Sequence, residues 1–131
     1  MQMKIFFLFS FLLIISCTKK EPDIYQQVMD VHNESMEKMD DIYTLKGDLQ
    51  KIYSDTNRKN INREEVLTAI EGLDSADNLM MDWMHKFNPP DSSNKVERQN
   101  YLESELIKIK RVRDLTNETI TKAKELLEMK K

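Results

Sequence analysis

Apolar positions in this chain recur at spacings of three and four over most of its length, the period of an amphipathic helix, and no alternating stretch of strand type interrupts them. The first periodic block predicts a helix over residues 23–53. One stripe runs through Val28, Val31, Ile42, Leu45, Leu49 and Ile52, and a second beside it through Tyr25, Met29, His32, Met36, Met39 and Tyr43. Together they make the wide apolar face that a bundle helix needs. Gly47 falls inside this block, where it costs about 1 kcal/mol against alanine and marks a close approach or a soft point.

A polar run from Ser54 to Asn60 predicts a turn. Asn62 with Glu65 three residues on is a capping-box pattern, and it opens a second helix over 63–87 with core positions Val66, Ala69, Ile70, Leu73, Ala76, Met80, Trp83, Met84 and Phe87. The consecutive prolines Pro89 and Pro90 end it. Asn94 with Glu97 repeats the cap, and a third helix is expected over 95–129 on Leu102, Leu106, Ile109, Val112, Thr116, Ile120, Ala123 and Leu127. Short connections make neighbouring helices antiparallel, so the expected fold is all-α, an up-down-up three-helix bundle over 23–131; the rival is a long hairpin that joins other copies as a coiled coil. In that register, accurate to about one turn, His32 faces Trp83 and Met84, and Met36 faces Leu79 and Met80, with Leu102 closing the third side.

The amino-terminal segment is of another kind. Lys4 precedes an apolar run, Ile5 to Ile15, of signal-peptide length, and the sequence Ile14-Ile15-Ser16-Cys17 is similar to a bacterial lipoprotein signal. On that resemblance residues 1–16 are a cleaved signal peptide, Cys17 carries the lipid, and 17–22 form a short tether. The single cysteine of the chain fits, since it forms no internal disulfide. An uncleaved anchor, or a secretory signal with a stray cysteine, is the alternative. Acyl chains gain about 0.8 kcal/mol per buried methylene, so two or three of them would hold the protein on the membrane, here a bacterial envelope and by its sorting residue Thr18 the outer membrane.

Removing 1–16 takes Lys4 from the 20 basic residues, leaving 19 against 23 acidic and a net charge of −4. Interspersed signs and mild acidity argue against nucleic acid, and beyond Lys19 and Lys20 no polybasic patch stands ready for a membrane surface. Neither a phosphate-binding loop, a Gly-x-Ser-x-Gly elbow nor a His-Glu-x-x-His motif is present, so no enzymatic activity is expected. Asp40 with Asp41, and Glu103 with Glu105, read as solvated helix faces.

Chemistry concentrates in Met80-Met81-Asp82-Trp83-Met84-His85, which holds the sole Trp and one of two His. The stretches Met29 to Met39, Leu73 to Met84 and Tyr101-Leu102 resemble small bacterial lipoproteins labelled viral A-type inclusion proteins; the resemblance spans nearly all of the chain after Cys17 and implies no activity. Two readings of the cluster follow. Met beside aromatic rings at helical spacing is what a core shows. Thioethers with imidazole also suit Cu(I) or Ag(I), with His32, Met36, Met80, Met84 and His85 as donors and Trp83 as a cation–π neighbour. The expected role is a lipid-anchored, non-enzymatic interaction module with an envelope protein as partner, its oligomeric state open, and the soft-metal protein is the alternative.

Overall fold

The computed structural model describes residues 23–58 and 61–129, which form four helices: α1 (Ile24–Met36), α2 (Met39–Ser54), α3 (Arg63–Lys86) and α4 (Lys95–Met129). No strand occurs among them. The signal segment, Cys17 and the tether lie outside the described residues, and none of the described helices is long and apolar enough to cross a membrane.

The expected single helix over 23–53 is instead two. Residues Glu37 and Lys38 interrupt the ladder: the Lys38 amide donates to Ser35 O at 3.1 Å, a three-residue closure, and Lys38 itself sits at φ −94°, ψ −4°. The cause lies one turn back. Ser35 is fully buried, and its hydroxyl donates to the Val31 carbonyl at 2.8 Å. A serine bonding to the carbonyl four residues earlier competes with the ladder and bends the helix. The break resets the phase of the apolar face. Val28, Val31, Ile42, Leu45 and Leu49 are buried as the stripe predicts, Ile52 is half-buried at its end, and of the second stripe only Met39 joins the core, while Tyr25, Met36 and Tyr43 are exposed.

The other helix limits lie within a residue of those the pattern predicts, and their caps explain why. The Glu65 amide donates to Asn62 Oδ1 at 3.3 Å. At the next start, the Glu97 amide donates to Asn94 Oδ1 at 3.2 Å, and Asn94 Nδ2 donates to Glu97 Oε2 at 2.7 Å. The Glu65 and Glu97 amides are thereby given partners that the helix does not supply, worth about 1 kcal/mol each. Arg63 also ties the end of α2 to the start of α3, donating to the carbonyls of Tyr53 and Asp55.

α4 packs along α1, α2 and α3, and α2 packs on α3. Its apolar period carries Leu102, Ile109, Val112, Ile120, Ala123 and Leu126 into one core with Val66, Ile70, Leu73, Ala76 and Met80 of α3. Fully burying a side chain of this size contributes roughly 1.5–3 kcal/mol, so the core outweighs the peripheral ion pairs, at 0–1 kcal/mol each. Polar contacts between helices set alignment: the ion pairs Lys124–Asp41, at 2.8 Å, and Lys46–Asp74, and the hydrogen bond from Lys38 to Asn117 at 2.6 Å.

The two glycines differ. A Cβ on Gly47 would meet nothing within 4 Å, so the expected close approach is not there. Gly72 is the close approach: a Cβ there would stand 3.3 Å from Thr119 Cγ2, where α3 passes α4.

Candidate functional site

Five rings gather where α1 begins, α3 ends and α4 starts. Trp83 and Phe87 stack with centroids 4.8 Å apart, His32 lies 5.6 Å from Trp83, Tyr25 lies 6.3 Å from Phe87, and Tyr101 lies 6.1 Å from Phe87. All are within the range in which offset or tilted rings attract. Arg98 covers the Tyr25 ring at 5.6 Å and also donates to Pro90 O at 2.7 Å, pinning the proline turn to the cluster. The Asn88 amide donates to the Tyr101 hydroxyl at 2.8 Å.

Trp83 is held from its polar edge as well. Its Nε1 donates to Glu105 Oε2 at 2.8 Å, and Lys108 Nζ donates to Glu105 Oε1 at 2.7 Å. Glu105 is only 5% exposed, so it is not the solvated face residue its charge suggested. The signal for this was in the spacing: Leu102, Glu105, Ile109 and Val112 follow one another at three, four and three, so the core stripe of α4 runs through the carboxylate. A buried carboxylate with two charge-assisted partners is satisfied rather than reactive. The hydrogen bond to Glu105 raises Lys108 above the usual lysine range.

The expected metal donors occupy very different settings. His32 is half-buried against Trp83, with Nδ1 3.1 Å from Asn33 Oδ1. Met80 is fully buried, Met84 half-buried and Met36 37% exposed. His85 is exposed, about 140° around α3 from Met80 at 100° per residue, so it stands on the outer side of the helix. The register thus brings His32 to Trp83 and does not bring His85 to the same face. Among the described residues no three His, Cys, Asp or Glu side chains stand together as a hard-metal site would require. Trp83 has packing and hydrogen-bonding work of its own, which the core reading explains.

A larger recess lies elsewhere, on the outer seam of α3 and α4. Two hollows of about 640 and 570 Å³ meet at Leu115, so one groove follows the seam. One half is lined by Leu79, Trp83, Ile107 and Val112, with Lys86, Lys108 and Arg111 on its rim. The other is lined by Ala69, Gly72, Leu126 and Met129, with Glu64, Glu65, Glu118 and Glu125 around Lys122. Leu79, Ile107 and Met129 are 43%, 67% and 68% exposed, large apolar side chains that face water along one seam. Nothing in the sequence pattern distinguished them, because each lies one step off the core stripe.

Comparison with family models, curated proteins and solved structures gives no match.

Proposed function

We propose that this protein is a lipid-anchored helical interaction module of a bacterial envelope, a non-enzymatic adaptor that presents the α3–α4 groove to another protein. The observation that carries the reading is the groove itself: a largely apolar floor with Leu79 and Ile107 left exposed at its edge, Glu105 buried within it on Trp83 and Lys108, and the exposed charges on its rim. A floor of that kind with a polar rim is the anatomy of a protein contact. The buried polar groups, Glu105 in the groove and Ser35 at the bend, bond to neighbours within the fold and serve packing.

In this reading α1 and α2 act as one bent rod and the domain is an up-down-up bundle. The order of contacts supports it. Rising numbers on the rod meet falling numbers on α3, as in His32 with Trp83, Tyr43 with Asp77 and Lys46 with Asp74, while the rod and α4 rise together, as in Lys38 with Asn117 and Asp41 with Lys124. Cys17 carries the lipid after cleavage behind Ser16, and the few residues up to Asp23 keep the ring cluster close to the bilayer, in the outer membrane by the sorting residue Thr18.

Two measurements test the proposal. A photoreactive residue in place of Ile107 gives a defined protein adduct in cells, and one in place of Tyr43, exposed on the α2–α3 side, gives none; absence of any Ile107 adduct overturns the groove as a contact face. Cys17→Ser abolishes labelling by radioactive palmitate and releases the chain from its normal membrane fraction, and unchanged labelling or partition overturns the anchor.

A further inference from the structure

We infer that the occupant of the α3–α4 groove is a second copy of this chain, turned end over end. The inference rests on the groove being the contact face and adds its partner. The charge of the groove is polar along its length. At one end three cations, Lys86, Lys108 and Arg111, outnumber two carboxylates, Asp82 paired with Lys86 and Glu105 paired with Lys108; at the other, four carboxylates stand around Lys122. Arg111 has no hydrogen bond or ion pair among the described residues, although it stands beside an apolar floor.

A single surface with a basic end and an acidic end, joined by an apolar middle, is complementary to itself under one operation. A two-fold axis through the middle of the groove, at Leu115, lays the basic end of one copy on the acidic end of the other, twice over. Side-by-side pairing with both copies pointing the same way would bring like ends together, which costs free energy and excludes that arrangement. Leu115 of one copy then meets Leu115 of the other at the axis, while Ile107, about 12 Å along α4, lies over the other copy's half lined by Ala69, Leu126 and Met129, turning the two α3–α4 pairs into a four-helix layer.

The size is adequate. α3, with 24 residues, is about 36 Å long, and two helices side by side span about 20 Å, giving a face of roughly 700 Å². Standard stable interfaces bury about 800 Å² on each partner. End-over-end pairing sets the two Asp23 ends at opposite poles, so the two lipid tethers of a pair attach about one bundle length apart.

The experiment is sedimentation of the full chain in mild detergent at low salt, with three variants. The unaltered chain sediments as a dimer whose dissociation constant rises with salt, because rim charges are screened within about 8 Å at physiological ionic strength. Lys86→Glu with Arg111→Glu weakens the dimer about tenfold or more, since it sets acid against acid. Glu118→Lys with Glu125→Lys weakens it in the same way, and the four substitutions together restore it. Helix content by circular dichroism stays constant in all of them, as Lys86, Arg111, Glu118 and Glu125 are all exposed surface residues. A monomer at micromolar concentration, or a dimer indifferent to both reversals, overturns the inference. The mass of the Ile107 photoadduct separates the two readings: twice the chain mass supports the second copy, whereas an adduct of another mass overturns it and leaves the groove as a contact face for a different protein.

Discussion

The indole of Trp83 donates to the buried carboxylate of Glu105 across the α3–α4 seam, at 2.8 Å, and the other carboxylate oxygen accepts from Lys108. One hydrogen bond thus fixes the ring that His32 and Phe87 cover. Hydrogen bonds to charged groups contribute about 1.5–3 kcal/mol, so a double-mutant cycle of Trp83→Phe and Glu105→Met, read by urea unfolding, gives a coupling free energy at the low end of that range or above. Strict additivity of the two substitutions would show that the bond does not hold the seam.

Gly47→Ala stabilises the fold by about 0.5–1 kcal/mol, because alanine restricts the unfolded chain and the new methyl meets open space. Gly72→Ala gains less, since Thr119 Cγ2 stands 3.3 Å from the added carbon. Placed on Thr119→Ser, which removes that methyl, Gly72→Ala recovers the difference. Thermal midpoints of the four proteins check this.

Ser35→Leu destabilises by about 1–3 kcal/mol through overpacking, since the serine is fully buried at the bend between α1 and α2. Ser35→Ala goes the other way by about 0.5 kcal/mol, as the better helix former without a hydroxyl to compete with the ladder. Amide hydrogen exchange at Lys38 slows in the alanine variant if the hydroxyl maintains the bend.

Thr116 is wholly buried, and its hydroxyl has no hydrogen-bond partner among the described residues. Thr116→Val keeps the shape and removes the desolvated group, so it raises stability by about 1 kcal/mol or leaves it level. A loss above that size in urea unfolding would mean the hydroxyl has found a partner in solution.

Alkaline pH weakens the fold. Lys46 is raised above its ordinary value, first by its hydrogen bond to Asp74; Lys108 is raised by its bond to Glu105; Tyr43 is raised, first by the charge of Asp77. A group whose folded value lies above its unfolded one contributes fully below the unfolded value, near 10 for Tyr and 10.4 for Lys, and its contribution is lost as pH rises through the folded value. The urea midpoint is therefore insensitive to these three groups up to about pH 10 and falls beyond it. Lys46→Gln and Tyr43→Phe each flatten the fall, as urea midpoints across the alkaline range show.

Periodicity and caps are local, and the sequence by itself determined what they control: an all-helical chain, the start of α3 at the Asn62 cap and of α4 at the Asn94 cap, and the core positions from Val66 to Trp83. Short turns also gave the register that meets His32 with Trp83. Tertiary structure decided the rest. Whether a polar side chain on an apolar stripe turns to water or to a neighbour depends on what the next helix offers, and so Glu105, facing an indole, is buried, while Met36, beyond the bend at Ser35, is not. The groove likewise exists only between two helices, because its floor takes residues from α3 and α4 that no single helical period brings together.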